Sequence, residues 1–92
     1  MEAQDRTALL NRMKRIQGQV RAITTMIEDG EYCIDVLTQI TAAKRALEKV
    51  SLVLVDDHLR GCVRHAATSG DQEEIDQKIE EINTLLGRML KT

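Results

Sequence analysis

The sequence has 92 residues and a formal net charge of −2, enough chain for one small domain. It contains no Phe, Trp or Pro, so its core must be aliphatic and its helices meet few breakers. Its length excludes a second domain, and no apolar run is long enough to span a membrane. We therefore expect a single domain over residues 1–92. Because no secretory signal precedes the first helix, we also expect a cytoplasmic protein.

The first segment has the periodicity of an amphipathic helix. Its apolar residues recur at steps of four and three, at Leu9, Met13, Ile16, Val20, Ile23 and Ile27. This spacing predicts a helix with one apolar stripe. Asp29 and Gly30 are expected to end it, since glycine readily adopts the left-handed conformation found just beyond helix C-termini.

A second, very long helix is predicted from about residue 32 to about residue 67, roughly 50 Å at the usual helical rise. Its main apolar seam comprises Val36, Ile40, Ala43, Leu47, Val50 and Leu54. Residues 51–55 are apolar almost all the way round, so we expect this section to be buried on several sides.

A third helix is predicted after the Thr68-Ser69-Gly70 break. Asp71 is suited to the N-cap, with Glu74 three residues later as in a capping box. Apolar residues then recur at Ile75, Ile79, Ile82, Leu86 and Met89. Two shorter helices cannot cover the second one along its whole length. We therefore predict an all-α, three-helix protomer that forms at least an antiparallel dimer.

The only two cysteines, Cys33 and Cys62, and one of the two histidines, His58, are candidate metal ligands. His58 and Cys62 are four residues apart and so share one helical face. Two thiolates and an imidazole form a soft ligand set, which suits Cu(I). Each residue alone has an ordinary explanation, because a cysteine is often a small core residue. We expect His65 to be exposed rather than a fourth ligand.

These ligands cannot meet within one protomer. Cys33 and His58 are 25 positions apart on one predicted helix, which separates them by about 37 Å. In an antiparallel dimer, however, Cys33 of one protomer can approach His58 and Cys62 of its partner. Metal occupancy would then bias the quaternary arrangement, which is the basis of an allosteric sensor.

Basic and acidic residues are unevenly distributed. Acids dominate residues 71–81, whereas basic residues cluster in the first helix and again in the middle of the chain. An acidic protein can still carry a basic face for nucleic acid, although solvated helix faces would give the same composition. The candidates from this clustering are Lys14, Arg15, Lys44 and Arg45. Without a Gly-rich phosphate loop or a nucleophile elbow, we expect no enzyme and no small-molecule substrate.

Four segments in this order, NRMKRIQGQVRAI, YCIDVLTQITAAKRALEKV, DHLRGCV and SGD, resemble the CsoR/RcnR family of bacterial metal-sensing repressors over nearly the whole chain. The resemblance implies an antiparallel dimer within a disc-shaped dimer-of-dimers tetramer that binds operator DNA without a helix-turn-helix. It implies that the metal-free form represses copper-efflux or resistance genes. Cu(I) binding at an inter-protomer site of Cys33, His58 and Cys62 would release the DNA. The positions matching the family's DNA contacts are Arg12 and Lys49.

The resemblance also implies residues that support the metal site. Tyr32 matches one of them directly. The other is a third-helix glutamate, Glu81 or Glu80. About three extra residues appear to follow SGD, and an ungapped alignment would instead place Lys78 there.

Differences between branches of the family favour copper. Nickel and cobalt sensors add a histidine near the N-terminus, which MEAQDRTA lacks. The persulfide-sensing branch lacks the histidine present here as His58, and the formaldehyde-sensing branch lacks the cysteine present as Cys62. The alternatives are a nickel or cobalt sensor, and a persulfide or redox sensor of the same fold using Cys33 and Cys62. A further alternative is a helical oligomerisation module that binds neither metal nor DNA.

Overall fold

The computed structural model describes residues 1–91 and contains three helices, α1 (Ala3–Glu28), α2 (Cys33–Ser69) and α3 (Gln72–Leu90). No described residue lies in a strand, and the predicted three-helix protomer with a very long central helix is confirmed. None of the described helices is long and apolar enough to cross a membrane. The chain divides into two compact units, Met1–Val53 and a second that begins at Leu54.

In the first unit, α1 ends at the predicted Asp29-Gly30 pair in a hydrogen-bonded turn. The Glu31 N–H donates to the Met26 carbonyl at 3.0 Å, and the Gly30 N–H donates to the Ile27 carbonyl at 3.1 Å. This pair of hydrogen bonds defines a Schellman motif. Gly30 has a φ of 66°, a conformation that a side chain disfavours, which explains why a glycine ends this helix.

The core of the first unit is a narrow aliphatic contact between α1 and the first half of α2. Ile23 of α1 packs with Val36 and Ala43 of α2, and Met26 is partly buried against them. Ile16 and Val50 are also buried. The buried α2 residues are seven positions apart, which is the spacing of one face of a packed helix pair.

The other half of the predicted α2 seam stays exposed in the single chain. Ile40 is 42% exposed and Leu47 43%, because one neighbouring helix can cover only one stripe of α2. The expectation that residues 51–55 are buried on several sides is wrong for the protomer, since Leu52 is 61% exposed and Val53 and Leu54 are exposed too. The single chain leaves these apolar side chains in contact with solvent.

In the second unit, α3 begins with the predicted N-cap. The Asp71 carboxylate accepts hydrogen bonds from the backbone N–H groups of Glu73 and Glu74, at 3.1 and 3.3 Å. The second half of the expected capping box is absent, because the Asp71 N–H donates to the Ser69 hydroxyl at 3.4 Å. The Glu74 carboxylate instead lies 2.9 Å from the ring of His65, a residue of the preceding helix.

We expect Asp71→Ala to lower the free energy of unfolding by about 1 kcal/mol, because two N–H groups at the start of α3 lose their acceptor. Asp71→Asn should retain most of the stability, since an asparagine oxygen caps equally well. Urea unfolding followed by circular dichroism, at one fixed protein concentration, measures both effects. An unchanged midpoint for Asp71→Ala would show that the cap does not stabilise the protein.

Candidate metal centre and basic groove

The three predicted metal ligands lie in different units of the chain. Cys33 is the first residue of α2 and is exposed in the first unit. His58 and Cys62 belong to the second unit, and Cys62 is partly buried with a free thiol. Among the described residues, no three His, Cys, Asp or Glu side chains are grouped so that they could hold a metal ion. The inter-protomer site of Cys33, His58 and Cys62 stays a prediction.

Within the second unit, His58 and Cys62 line one groove between α2 and α3, with a volume of about 310 Å³. Their spacing of four places both on one face of α2, as the sequence predicted. The structure shows that this face borders α3. α2 also contributes Asp57, Gly61 and His65 to this groove, which we call the ligand groove. α3 contributes Glu74, Ile75 and Lys78.

A contact between His65 and Glu74 lies in the lining of the ligand groove. The His65 Nε2 lies 2.9 Å from a Glu74 carboxylate oxygen, and the pair joins α2 to α3. His65 is exposed, as expected, but its ring is engaged by this carboxylate. Glu74 was not among the predicted site residues, because its spacing from Asp71 equally fits a capping box.

The predicted supporting residues lie outside the ligand groove of this chain. Tyr32 precedes α2 and is 68% exposed, and its carbonyl accepts a hydrogen bond from the Val36 N–H at 3.2 Å. Glu80 and Glu81 line a different groove along α3. Lys78, at the position given by the ungapped alignment, lines the ligand groove instead. The roles of Tyr32, Glu80 and Glu81 stay predictions.

A second groove, on the first unit, gathers basic side chains from both helices. Arg12 and Arg15 of α1 and Lys49 of α2 line it, and its volume is about 550 Å³. Asn11 and Gln19 add polar groups, and no carboxylate is among the lining residues. This surface, which we call the basic groove, should therefore attract anions. The remaining predicted basic candidates lie outside its lining: Lys14, Lys44 and Arg45.

The comparison with known families decides the class of protein. Residues 5–88 match the family described as metal-sensitive transcriptional repressors. The chain belongs to this family. The predicted resemblance to metal-sensing repressors is thereby confirmed. So is the expectation that the protein is not an enzyme, since this is a family of transcriptional regulators.

Proteins similar to this repressor differ from one another in the metal to which they respond. The chain is 40% identical over 90 residues to the copper-sensing transcriptional repressor CsoR of Bacillus subtilis strain 168, covering 98% of this chain and 86% of that protein. It is also similar to the structure of the copper-sensing repressor CsoR with Cu(I) from Geobacillus thermodenitrificans NG80-2. That likeness has a TM-score of 0.85 and 34% identity, covering 98% of this chain and 91% of that chain.

The nickel-responsive transcriptional regulator InrS has a similar structure. Its TM-score is 0.77 at 34% identity, and the match covers 96% of this chain and 92% of that one. The fold is thus shared by regulators of different metals. The choice of metal must therefore rest on the donor atoms that the chain offers.

Proposed function

We propose that this protein is a cytoplasmic, Cu(I)-responsive transcriptional repressor. Its metal-free form binds the operator DNA of copper-efflux or resistance genes, and its Cu(I)-bound form releases that DNA. The observation that carries this proposal is the pairing of His58 and Cys62 in one groove, in a chain 40% identical to a copper-sensing repressor. The only other cysteine, Cys33, completes the donor set.

The donor atoms fit Cu(I) better than Ni(II). Cys33, His58 and Cys62 would supply two soft thiolates and one imidazole, a set that suits Cu(I). Ni(II) in square-planar geometry favours more nitrogen donors. The other imidazole of the groove, His65, is engaged by Glu74. When bound, Cu(I) supplies a link between the protein segments that carry these ligands.

We further propose that the site forms between protomers of an antiparallel dimer, and that two dimers form a disc-shaped tetramer. Cys33 and His58 lie on one continuous helix, so the ligands come from two chains. The exposed α2 side chains Leu37, Ile40 and Leu47 supply apolar surface that a second copy would bury. Each protomer is then a single domain over residues 1–92, of which the family match spans 5–88.

The basic groove is the proposed DNA contact. Arg12, Arg15 and Lys49 would contact phosphates, with Lys14, Lys44 and Arg45 contributing from the surrounding surface. A tetramer repeats this groove four times, so a modest number of cations per chain produces a large positive field. A coupling of about 1–3 kcal/mol between metal and DNA binding, typical of allosteric proteins, is enough for the switch.

The proposal is tested by titrating the fully reduced protein with Cu(I), without oxygen, against a high-affinity colorimetric chelator. We expect one tightly bound Cu(I) per protomer, and weak binding in a parallel Ni(II) titration. The Cu(I)-loaded protein should also bind fluorescently labelled operator DNA more weakly than the metal-free protein does. Failure to compete with the chelator would remove Cu(I) as the effector.

A thiol-based sensor is the second candidate, because both thiols are free and Cys33 is exposed. In that case a persulfide donor would transfer its outer sulfur to one thiol, and the second thiol would displace that sulfur as hydrogen sulfide. The product is a disulfide between Cys33 of one protomer and Cys62 of another. The crosslinked protein would then release DNA without metal. Non-reducing electrophoresis after treatment with a persulfide donor distinguishes this candidate from the copper sensor.

His58 allows copper binding to be separated from its effect on DNA. We expect His58→Ala to retain Cu(I) through the two thiolates but to lose most of the coupling between Cu(I) binding and DNA release. The reason is that a metal-bound imidazole has a second ring nitrogen, which can hydrogen-bond to the surrounding protein. DNA binding measured with and without Cu(I) tests this, with His65→Ala as the matched control. If Cu(I) releases DNA from His58→Ala as fully as from the wild type, His58 is only a ligand.

A further inference from the structure

The ligand groove is lined by charged side chains of both signs. Asp57 and Glu74 place two carboxylates in its lining, and Glu74 is already paired with His65. Lys78 is the only lysine or arginine among the residues that line the groove. Its ammonium lies 3.9 Å from a Glu81 carboxylate oxygen, at the limit of an ion pair between side chains that are 46% and 64% exposed. Such exposed pairs are weak, so the contact with Glu81 constrains Lys78 little.

The proposed metal complex adds negative charge to this groove. Two thiols and one neutral imidazole binding Cu⁺ give a complex of charge −1 and release two protons, so charge is conserved. Part of that complex, the Cys62 thiolate, lies in a groove that already holds the carboxylates of Asp57 and Glu74. Like charges held close together disfavour one another, and a nearby cation offsets this repulsion.

We propose that Lys78 is the charge-compensating residue of the Cu(I) site, which it stabilises electrostatically without ligating the metal. This inference rests on the proposed Cu(I) function. The position of Lys78 supports it, because Lys78 shares one face of α3 with Glu74 and Ile75, the other two α3 residues that line the groove. Arg88, also on α3, lines a different groove with Glu80 and Glu81.

The exposure of the Lys78 side chain determines how much its charge should contribute to Cu(I) affinity. The Lys78 side chain is 46% exposed, so solvent and salt screen its field. We therefore expect Lys78→Gln to weaken Cu(I) binding by about three- to fivefold at low ionic strength, the range of a partly exposed charge pair. The loss should shrink toward zero near 1 M salt, where the Debye length is about 3 Å.

The experiment is the anaerobic chelator competition, run on the full-length wild type, Lys78→Gln, Lys78→Arg and Arg88→Gln at low and high salt. Lys78→Arg keeps the positive charge and should bind Cu(I) within about twofold of the wild type. Arg88→Gln removes the same charge from another face of α3 and should also bind like the wild type. Urea unfolding of the metal-free variants verifies that each is folded.

Each outcome decides the matter. An unchanged Cu(I) affinity for Lys78→Gln at low salt overturns the inference, and so does a loss that persists unchanged in high salt. An equal loss in Arg88→Gln would assign the effect to net charge rather than to Lys78, which also overturns it. Failure of the wild type itself to compete for Cu(I) is a distinct result. It would remove the proposed function together with this inference.

Discussion

Replacing Cys62 with Ser is expected to weaken Cu(I) binding by at least about 100-fold, because losing a thiolate ligand should exceed the 10–100-fold cost of altering a ligand's surroundings. Cys33→Ser should have an effect of the same size. A hydroxyl is a hard, weakly basic donor that Cu(I) binds poorly. The chelator competition measures both losses, and wild-type affinity in either variant would exclude that cysteine from the site.

Mixing the two variants tests where the ligands come from. In an inter-protomer site, a dimer of one Cys33→Ser chain and one Cys62→Ser chain contains one intact ligand set out of two. Chains co-expressed with different affinity tags and purified through both should therefore regain tight Cu(I) binding, at no more than about half the wild-type stoichiometry. A site within one chain cannot be restored in this way.

The matched control combines Cys33→Ser with Cys33→Ala, which cannot form an intact site in any arrangement. Restoration by the first pair and not by the second would establish that Cys33 of one protomer works with Cys62 of its partner. If neither pair regains tight binding, the antiparallel arrangement of the ligands is wrong. That result would leave the family membership and the protomer fold unchanged.

Replacing Arg12 with Ala should weaken operator binding by about tenfold or more, because the proposed tetramer would lose the same phosphate interaction at several places at once. The slope of log affinity against log salt concentration should also become shallower, by about one unit for each phosphate that the protein no longer neutralises. Fluorescence anisotropy with operator DNA at several salt concentrations gives both quantities. Cu(I) affinity should be unchanged, since Arg12 lines the basic groove of the first unit and not the ligand groove.

Arg21→Ala is the matched control for Arg12→Ala. Both residues belong to α1 and both substitutions remove one positive charge, but Arg21 is not among the residues that line the basic groove. Similar losses in the two variants would indicate a general effect of net charge. Unchanged DNA affinity in Arg12→Ala would exclude the basic groove as the operator contact around that residue.

Local signals were sufficient to predict the protomer. Gly30, Gly70 and the Asp71 cap mark the helix ends, and each acts through its own backbone geometry, which needs no knowledge of the rest of the chain. The exposure of Ile40 and Leu47 could not be predicted in the same way. An apolar stripe has the same sequence whether it faces a helix of its own chain or a helix of another.

In the ligand groove, too, some features could be predicted from the local sequence and others could not. His58 and Cys62 share a face because they lie on one helix, so their spacing alone predicted their proximity. The pairing of His65 with Glu74 and the position of Lys78 depend instead on how α3 begins after its turn. Each residue added or removed there rotates the following side chains by about 100° around the helix axis. The uncertain alignment after SGD therefore concealed which α3 side chains line the groove of His58 and Cys62.

The position of Tyr32 has a practical consequence. It is the only aromatic residue of the chain, it is exposed, and it directly precedes the proposed ligand Cys33. The protein thus carries a single intrinsic fluorophore beside its proposed metal site, with no tryptophan to mask its emission. Metal loading could then be followed without a label through one known position. The near-ultraviolet absorption of copper–thiolate bonds would also be seen against an almost transparent background.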